Sequence, residues 1–146
     1  MGADAGHVSD LEVSEVWRRL EGDKSARLID VRTRAEWSFV GVPDVSKLGR
    51  RPIMVEWQGF PENRVDPAFA LKLIQELDAA GVGKDAELFF ICRSGGRSLL
   101  AARAMQAAGY TRCRNVADGF EGPLDGNRHR GAVAGWKAAG LPWIQA

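Results

Sequence analysis

The sequence predicts an α/β domain with a mostly parallel central sheet flanked by helices. Three observations support that class. Short apolar runs alternate with helical patterns along the whole chain, as strand–helix–strand units require. One such run ends at a single cysteine and passes through a short glycine-bearing loop into an alanine-rich helical pattern. The 146 residues show no internal repeat, low-complexity tract or linker, which fits one domain, residues 1–146, around a single core.

The elements follow in order. Residues 1–7 are expected to be a flexible terminus. A first helix is expected over Leu11 to Leu20, with Leu11, Val13, Val16, Trp17 and Leu20 on its apolar face and Gly22-Asp23-Lys24 at its end. Arg27 to Val31 reads as a short buried strand. Thr33 to Trp37 reads as a helical turn capped by Thr33, before the turn residues Gly41-Val42-Pro43-Asp44. Ile53 to Trp57 is the next strand, and Gln58 to Val65 a loop. Asp66-Pro67 is a helix start, a capping carboxylate ahead of proline at the first helical position. Phe69, Leu73, Ile74 and Leu77 supply that helix's stripe, and Gly81 and Gly83 close it. Leu88 to Ile91 is the strand into the cysteine loop. The helix after the loop should end near Gly109, and Cys113 to Val116 is the last strand. Gly119 to Leu124 is a turn, and a final helix is expected over Ala132 to Ala139.

Composition narrows the function. With 45% hydrophobic and 27% charged residues and a net charge of +1, the chain resembles an ordinary globular domain. Such a balance points to neither nucleic acid nor a membrane surface as partner. No apolar run approaches the roughly 20 residues of a membrane span, and the start lacks a basic-then-apolar leader. With only two cysteines, Cys92 and Cys113, no disulfide framework is expected, and a reducing cytoplasm suits a reactive thiol. Neither His7 nor His129 has metal-ligand spacing, so no metal or other cofactor is expected.

The chemistry concentrates in Cys92-Arg93-Ser94-Gly95-Gly96-Arg97-Ser98. A loop between a strand and a helix N-terminus can turn successive N–H groups inward, at the positive pole of the helix dipole. A thiol there lies among donors and two guanidinium groups, surroundings that favour the nucleophilic thiolate. A cysteine at a strand end is commonly a small buried hydrophobe, which suits Cys113. Packing alone does not call for Gly-Gly and two arginines directly after Cys92. The carboxyl end of a strand is also where open α/β sheets place their ligands.

Leu28-Ile29-Asp30-Val31-Arg32, then Glu36-Trp37, the Cys92–Ser98 loop, Asn115-Val116 and Gly119-Phe120 together resemble the single-domain rhodaneses, from the first helix to Gly140-Leu141-Pro142. That resemblance implies a rhodanese-like domain and a sulfurtransferase. Cys92 would take a sulfane sulfur from a small anionic donor such as thiosulfate, and pass it to cyanide or a thiol. The backbone of Arg93, Ser94, Gly95, Gly96, Arg97 and Ser98 would form the anion cradle, with Arg93 and Arg97 orienting the donor or lying in solvent. Arg97 has a third option, pairing with an acidic residue beneath the loop. Asp30 and Arg32 match an Asp-Val-Arg motif and are expected to be supports, Asp30 accepting from the cysteine loop and Arg32 pairing with Glu36. Ser98 is expected to cap the following helix, its hydroxyl being otherwise a donor to the persulfide. Where many members read Gly-His-Ile, this chain has Gly41-Val42-Pro43, so no histidine role carries over.

Rival readings share the fold. Phosphatases and arsenate reductases of this kind carry a Cys-x5-Arg loop, whereas here arginine falls at 97 and serine at 98, a shorter cradle. A non-catalytic regulatory module would usually lack the cysteine. A persulfide carrier fed by a sulfur-relay protein partner shares the chemistry and differs in its donor. Trp57, Phe60 and Trp37 are candidates for a cleft mouth, with core packing favoured for the tryptophans. The basic stretch Asp125 to Gly131 reads as a solvated loop, the alternatives being added positive potential near the site or contact with a partner.

Overall fold

The computed structural model describes residues 7–145. The expected flexible terminus falls outside those residues except for His7, whose carbonyl accepts a hydrogen bond from Gln106 Nε2 at 2.8 Å. The elements in chain order are β1 (Ser9–Leu11), α1 (Val13–Gly22), β2 (Arg27–Asp30), α2 (Arg34–Phe39), β3 (Val42–Pro43) and β4 (Ile53–Met54). They continue with α3 (Phe69–Ala79), β5 (Glu87–Ile91), α4 (Gly96–Ala107), β6 (Arg112–Val116) and β7 (Trp143–Ile144). Five strands form one parallel sheet in the order β1-β6-β5-β2-β4, and β3 pairs antiparallel with β7 apart from it.

Strand β5 is the axis of the molecule. It lies between β6 and β2, and every one of its residues is buried. Its side chains alternate between two cores, as the pleat dictates. Leu88, Phe90 and Cys92 join the core that contains Leu73, Leu77 and Met105 of α3 and α4. Phe89 and Ile91 join the core that contains Val16 and Leu20 of α1 and the buried Trp136. A strand covered on both faces reads as a continuous apolar run. The register sets Asp30 opposite Ile91 and Asn115 opposite Phe90, so residues of β2 and β6 flank the strand end that delivers Cys92.

Several elements depart from the sequence expectation. Residues 9–11 form a parallel edge strand, with Leu11 opposite Val116, and the helix begins only at Val13. Pairing with a distant strand outweighs the local helical pattern there. Strand β4 is shorter than Ile53 to Trp57, although Val55 and Trp57 still donate to the carbonyls of Asp30 and Val31 at 3.1 Å. Helix α3 starts at Phe69, and the Asp66 carboxylate caps a preceding turn by accepting from Ala68 N–H at 2.9 Å. The helix expected over Ala132 to Ala139 is replaced by turns. Gly131 and Gly135 take positive φ there, and Trp136 and Lys137 give their N–H groups to the carbonyls of Gly119 and Phe120. Those two donors go to the neighbouring turn, while Ala139 N–H bonds within the segment to the Gly135 carbonyl at 3.0 Å. At Thr33 the cap is a reciprocal capping box with Glu36.

Candidate active site

The loop from Cys92 to Ser98 closes on the sulfur. Gly95 adopts φ of +110°, a conformation that side chains resist, and aims its N–H at Cys92 Sγ at 3.2 Å. The N–H of Ser98 lies 3.4 Å from the same sulfur, and its hydroxyl 3.2 Å. Ser98 does not cap α4, contrary to the expectation from sequence. It is the third residue of the helix, whose N-cap is Gly95, and the hydroxyl turns inward. There it also meets Asn115 Oδ1 at 2.5 Å. Asn115 donates its amide to Asp10 Oδ1 at 2.9 Å and to the Gly95 carbonyl at 3.1 Å, which leaves its oxygen facing Ser98. One hydroxyl proton thus serves two acceptors, Asn115 and the sulfur. Negative charge on Sγ would be met by two N–H groups and a hydroxyl at the start of a helix.

A second segment braces the loop from outside. Phe120 N–H donates to the Cys92 carbonyl at 2.8 Å, and the amides of Glu121 and Gly122 both reach the Arg93 carbonyl, at 2.9 and 3.2 Å. Gly119 approaches so closely that a Cβ would collide with the Cys92 carbonyl. Its φ of +61° adds a second reason for glycine.

Asp30 and Arg32 pair with each other, which corrects the expectation for both. Each is fully buried. Arg32 Nη2 donates to Asp30 Oδ2 at 2.7 Å and Nε to Oδ1 at 3.0 Å, and the Arg32 N–H also reaches Oδ1. A bend two residues long brings the fork to the carboxylate, so no acceptor remains for the cysteine loop among the bonds Asp30 makes. Arg32 extends to the Gly41 carbonyl at 2.8 Å and stacks 4.3 Å from the Phe120 ring centroid. The pair ties the end of β2 to the segment that braces the loop.

Glu36 is taken by Arg97, not by Arg32. The two guanidinium nitrogens donate to the two carboxylate oxygens at 2.7 and 2.8 Å, and Thr33 contributes its N–H and hydroxyl. Burial pushes the Glu36 carboxyl up, but the hydrogen bonds from Arg97 and Thr33 and the guanidinium charge outweigh it and hold the group at about 2. Arg97 is raised in turn, chiefly by the hydrogen bond to Glu36. Arg93, by contrast, is exposed and makes no side-chain hydrogen bond or ion pair among the described residues.

A cavity of about 540 Å³ lies over this arrangement, bordered by Arg93 and Arg97 of the loop, Thr33 and Glu36 of the opposite wall, and Phe60, Glu121 and Arg130. Phe60 stands at that mouth, largely exposed. Trp57 packs edge-to-face on Phe69 at 5.0 Å, and Trp37 borders a different cavity. Cys113 is remote. It sits opposite Leu88, four residues before Cys92 on the adjacent strand, or about 13 Å at the usual rise. Burial pushes its thiol up to about 12. Sequence reading passed over Asn115, Glu121 and Arg130 as site residues. Asn115-Val116 and the basic 125–131 stretch were the available signals.

The described residues contain no helix long and apolar enough to cross a membrane. A family model described as the STR4 middle domain matches residues 10–146. An uncharacterized protein of Rickettsia conorii, RC0915, is 34% identical over 93% of this chain and 97% of its own length. Rhodanese-like domain-containing protein 4, chloroplastic, of Arabidopsis thaliana is 29% identical over 88% of this chain and 24% of that protein. The crystal structure of Rv0390 from M. tuberculosis superimposes with a TM-score of 0.86 and 42% identity, covering 95% of this chain and 98% of the other. Parallel sheet, strand-end cysteine loop and these likenesses agree: the chain belongs to the STR4 middle-domain family and is a rhodanese-like domain.

Proposed function

We propose that this protein is a sulfurtransferase in which Cys92 carries the sulfur. The Cys92 thiolate attacks the outer sulfur of a donor such as thiosulfate. The donor's S–S bond breaks, sulfite leaves with the electron pair, and Cys92 holds a persulfide. A nucleophilic acceptor, cyanide or a thiol, then attacks the outer sulfur and releases the Cys92 thiolate. The carrying observation is the ring of donors on Sγ from Gly95 N–H, Ser98 N–H and the Ser98 hydroxyl. Such donors favour the thiolate that attacks in the first step and is released again in the second. Cys92 is only 1% exposed, so reagents would reach it by way of the cavity bordered by Arg93 and Arg97.

Arg93 attracts the anionic donor in this reading, since Arg97 is already engaged with Glu36. The same engagement disfavours phosphatase chemistry, in which the arginine at the end of the cysteine loop must be free to clasp an oxyanion with three equatorial oxygens. Intact mass measurement after incubation with thiosulfate tests the proposal. One sulfur atom should be gained, lost on reduction, and absent in Cys92→Ser. Full thiocyanate formation by Cys92→Ser, or turnover of an aryl phosphate in place of thiosulfate, would overturn it.

A further inference from the structure

The cavity is larger than a small inorganic anion needs. At about 540 Å³ it falls in the range of sites that take whole organic molecules. Three arginines and two glutamates border it, leaving one net positive charge. Arg97 and Glu36 neutralise each other through their two-bond pair. Arg93, Arg130 and Glu121 remain, and none of the three forms a side-chain ion pair among the described residues. Arg93 directly follows the thiol. Arg130 arrives from a separate part of the chain.

The 125–131 segment is a solvated loop, as expected from sequence, with Gly126 to His129 exposed, and it is also a built turn. Asp125 Oδ1 accepts from the N–H groups of Asn127 and His129 at 2.8 and 2.9 Å. Asp125 N–H returns to the His129 carbonyl at 2.7 Å, and Gly131 N–H reaches the Glu121 carbonyl at 2.6 Å. Arg130 Nη1 donates to the Gly122 carbonyl at 2.8 Å, and Gly122 N–H in turn reaches the Arg93 carbonyl. Gly122 has no freedom to carry a side chain, because a Cβ there would collide with the Ala134 carbonyl. One guanidinium fork is therefore held half-buried on the strap that braces the cysteine loop. One of its five donors is used by the described residues.

We propose that Arg130 is a specificity-determining residue. It binds a carboxylate, or a comparable anion, carried by the partner molecule at a distance from the reacting sulfur. The site thereby favours acidic organic thiols and disulfides over neutral ones of similar size. A small ion held at Arg93 leaves much of the cavity unused, and Arg130 borders that same cavity. The lining as a whole carries one net positive charge, which one remote anion would match. The inference rests on Cys92 being the reacting thiol and adds the class of partner.

Two aryl disulfides of similar reactivity provide the test, the dicarboxylate 5,5′-dithiobis(2-nitrobenzoate) and the neutral 2,2′-dithiodipyridine. In each case the Cys92 thiolate attacks one sulfur, the S–S bond breaks, and an aryl thiolate leaves with the electron pair. Cys92 retains the other half as a mixed disulfide. Cys92→Ser supplies the blank, and Cys113, buried and held at about 12, stays silent. The ratio of acidic to neutral rate constants should fall about 5- to 20-fold in Arg130→Gln, as loss of a charge-assisted hydrogen bond implies. Arg130→Lys should recover most of the ratio, and salt should narrow the gap between wild type and Arg130→Gln. Thermal unfolding of both variants checks that the turn persists. A ratio within about two-fold of wild type in folded Arg130→Gln overturns the proposal. Thiocyanate formation by the wild type is scored separately, so sulfur transfer can fail while the charge preference stands, and the reverse.

Discussion

Replacing Glu36 with Gln removes one charge from the Glu36–Arg97 pair and little volume. The carboxylate accepts from both terminal nitrogens of Arg97 and from Thr33, with about a fifth of each side chain exposed. Gln keeps one accepting oxygen but turns an NH2 group toward an arginine donor. A carboxyl held at about 2 instead of the ordinary 4.5 corresponds to about 3 kcal/mol of stability at neutral pH. Breaking a partly buried pair independently suggests a loss of about 2–4 kcal/mol. The folded-state value lies below the unfolded one, so this stability is present above pH 4.5 and is lost as pH falls toward 2. Urea unfolding of wild type and Glu36→Gln from pH 7 to pH 2 measures it. The difference between them should be near its maximum at pH 7 and shrink through that acid window. A difference below about 0.5 kcal/mol at pH 7, or one that does not change with pH, would refute the reasoning.

Three other outcomes are expected. Arg93→Ala should raise the thiosulfate KM by about 5- to 10-fold and lower kcat less, because the exposed guanidinium is proposed to attract the anion in the ground state; steady-state kinetics checks this, and an unchanged KM would assign Arg93 to solvent. Gly119→Ala should cost about 2–4 kcal/mol in chemical denaturation, since the new Cβ meets the Cys92 carbonyl and φ is +61°. Cys113→Ala should leave the sulfur gained from thiosulfate at one atom per chain while lowering stability by about 1 kcal/mol for the lost core volume; mass measurement and unfolding read the two effects, and loss of the persulfide would give Cys113 a part in the chemistry.

The legible parts of this molecule are those whose causes are local. The apolar run through Phe89 and Phe90 announces a strand covered on both faces, and the structure buries all of β5. Thr33 and Glu36 sit at the spacing of a capping box, and they form one. Gly95 and Gly96 after a lone cysteine indicate a tight loop, and Gly95 takes the positive φ that aims its N–H at sulfur. Failures occur where a distant segment competes for the same groups. Leu11 fits a helical stripe, yet it pairs with Val116. Residues 132–139 look helical, yet Trp136 and Lys137 give their donors to Gly119 and Phe120.

The pairing of charges shows the same division most sharply. Periodicity and turn chemistry in the chain determined the α/β class, the strand-end position of Cys92 and the donor-rich loop that follows it, because each depends on residues a few positions apart. Which arginine is free and which is spent was decided only by folding. Arg32 closes on Asp30, Arg97 crosses to Glu36, Arg93 stays open, and Arg130 is carried to the cavity by a turn more than thirty residues downstream. Ion pairing depends on separations of a few ångströms, and those are set by how the sheet and its helices pack, not by spacing along the chain.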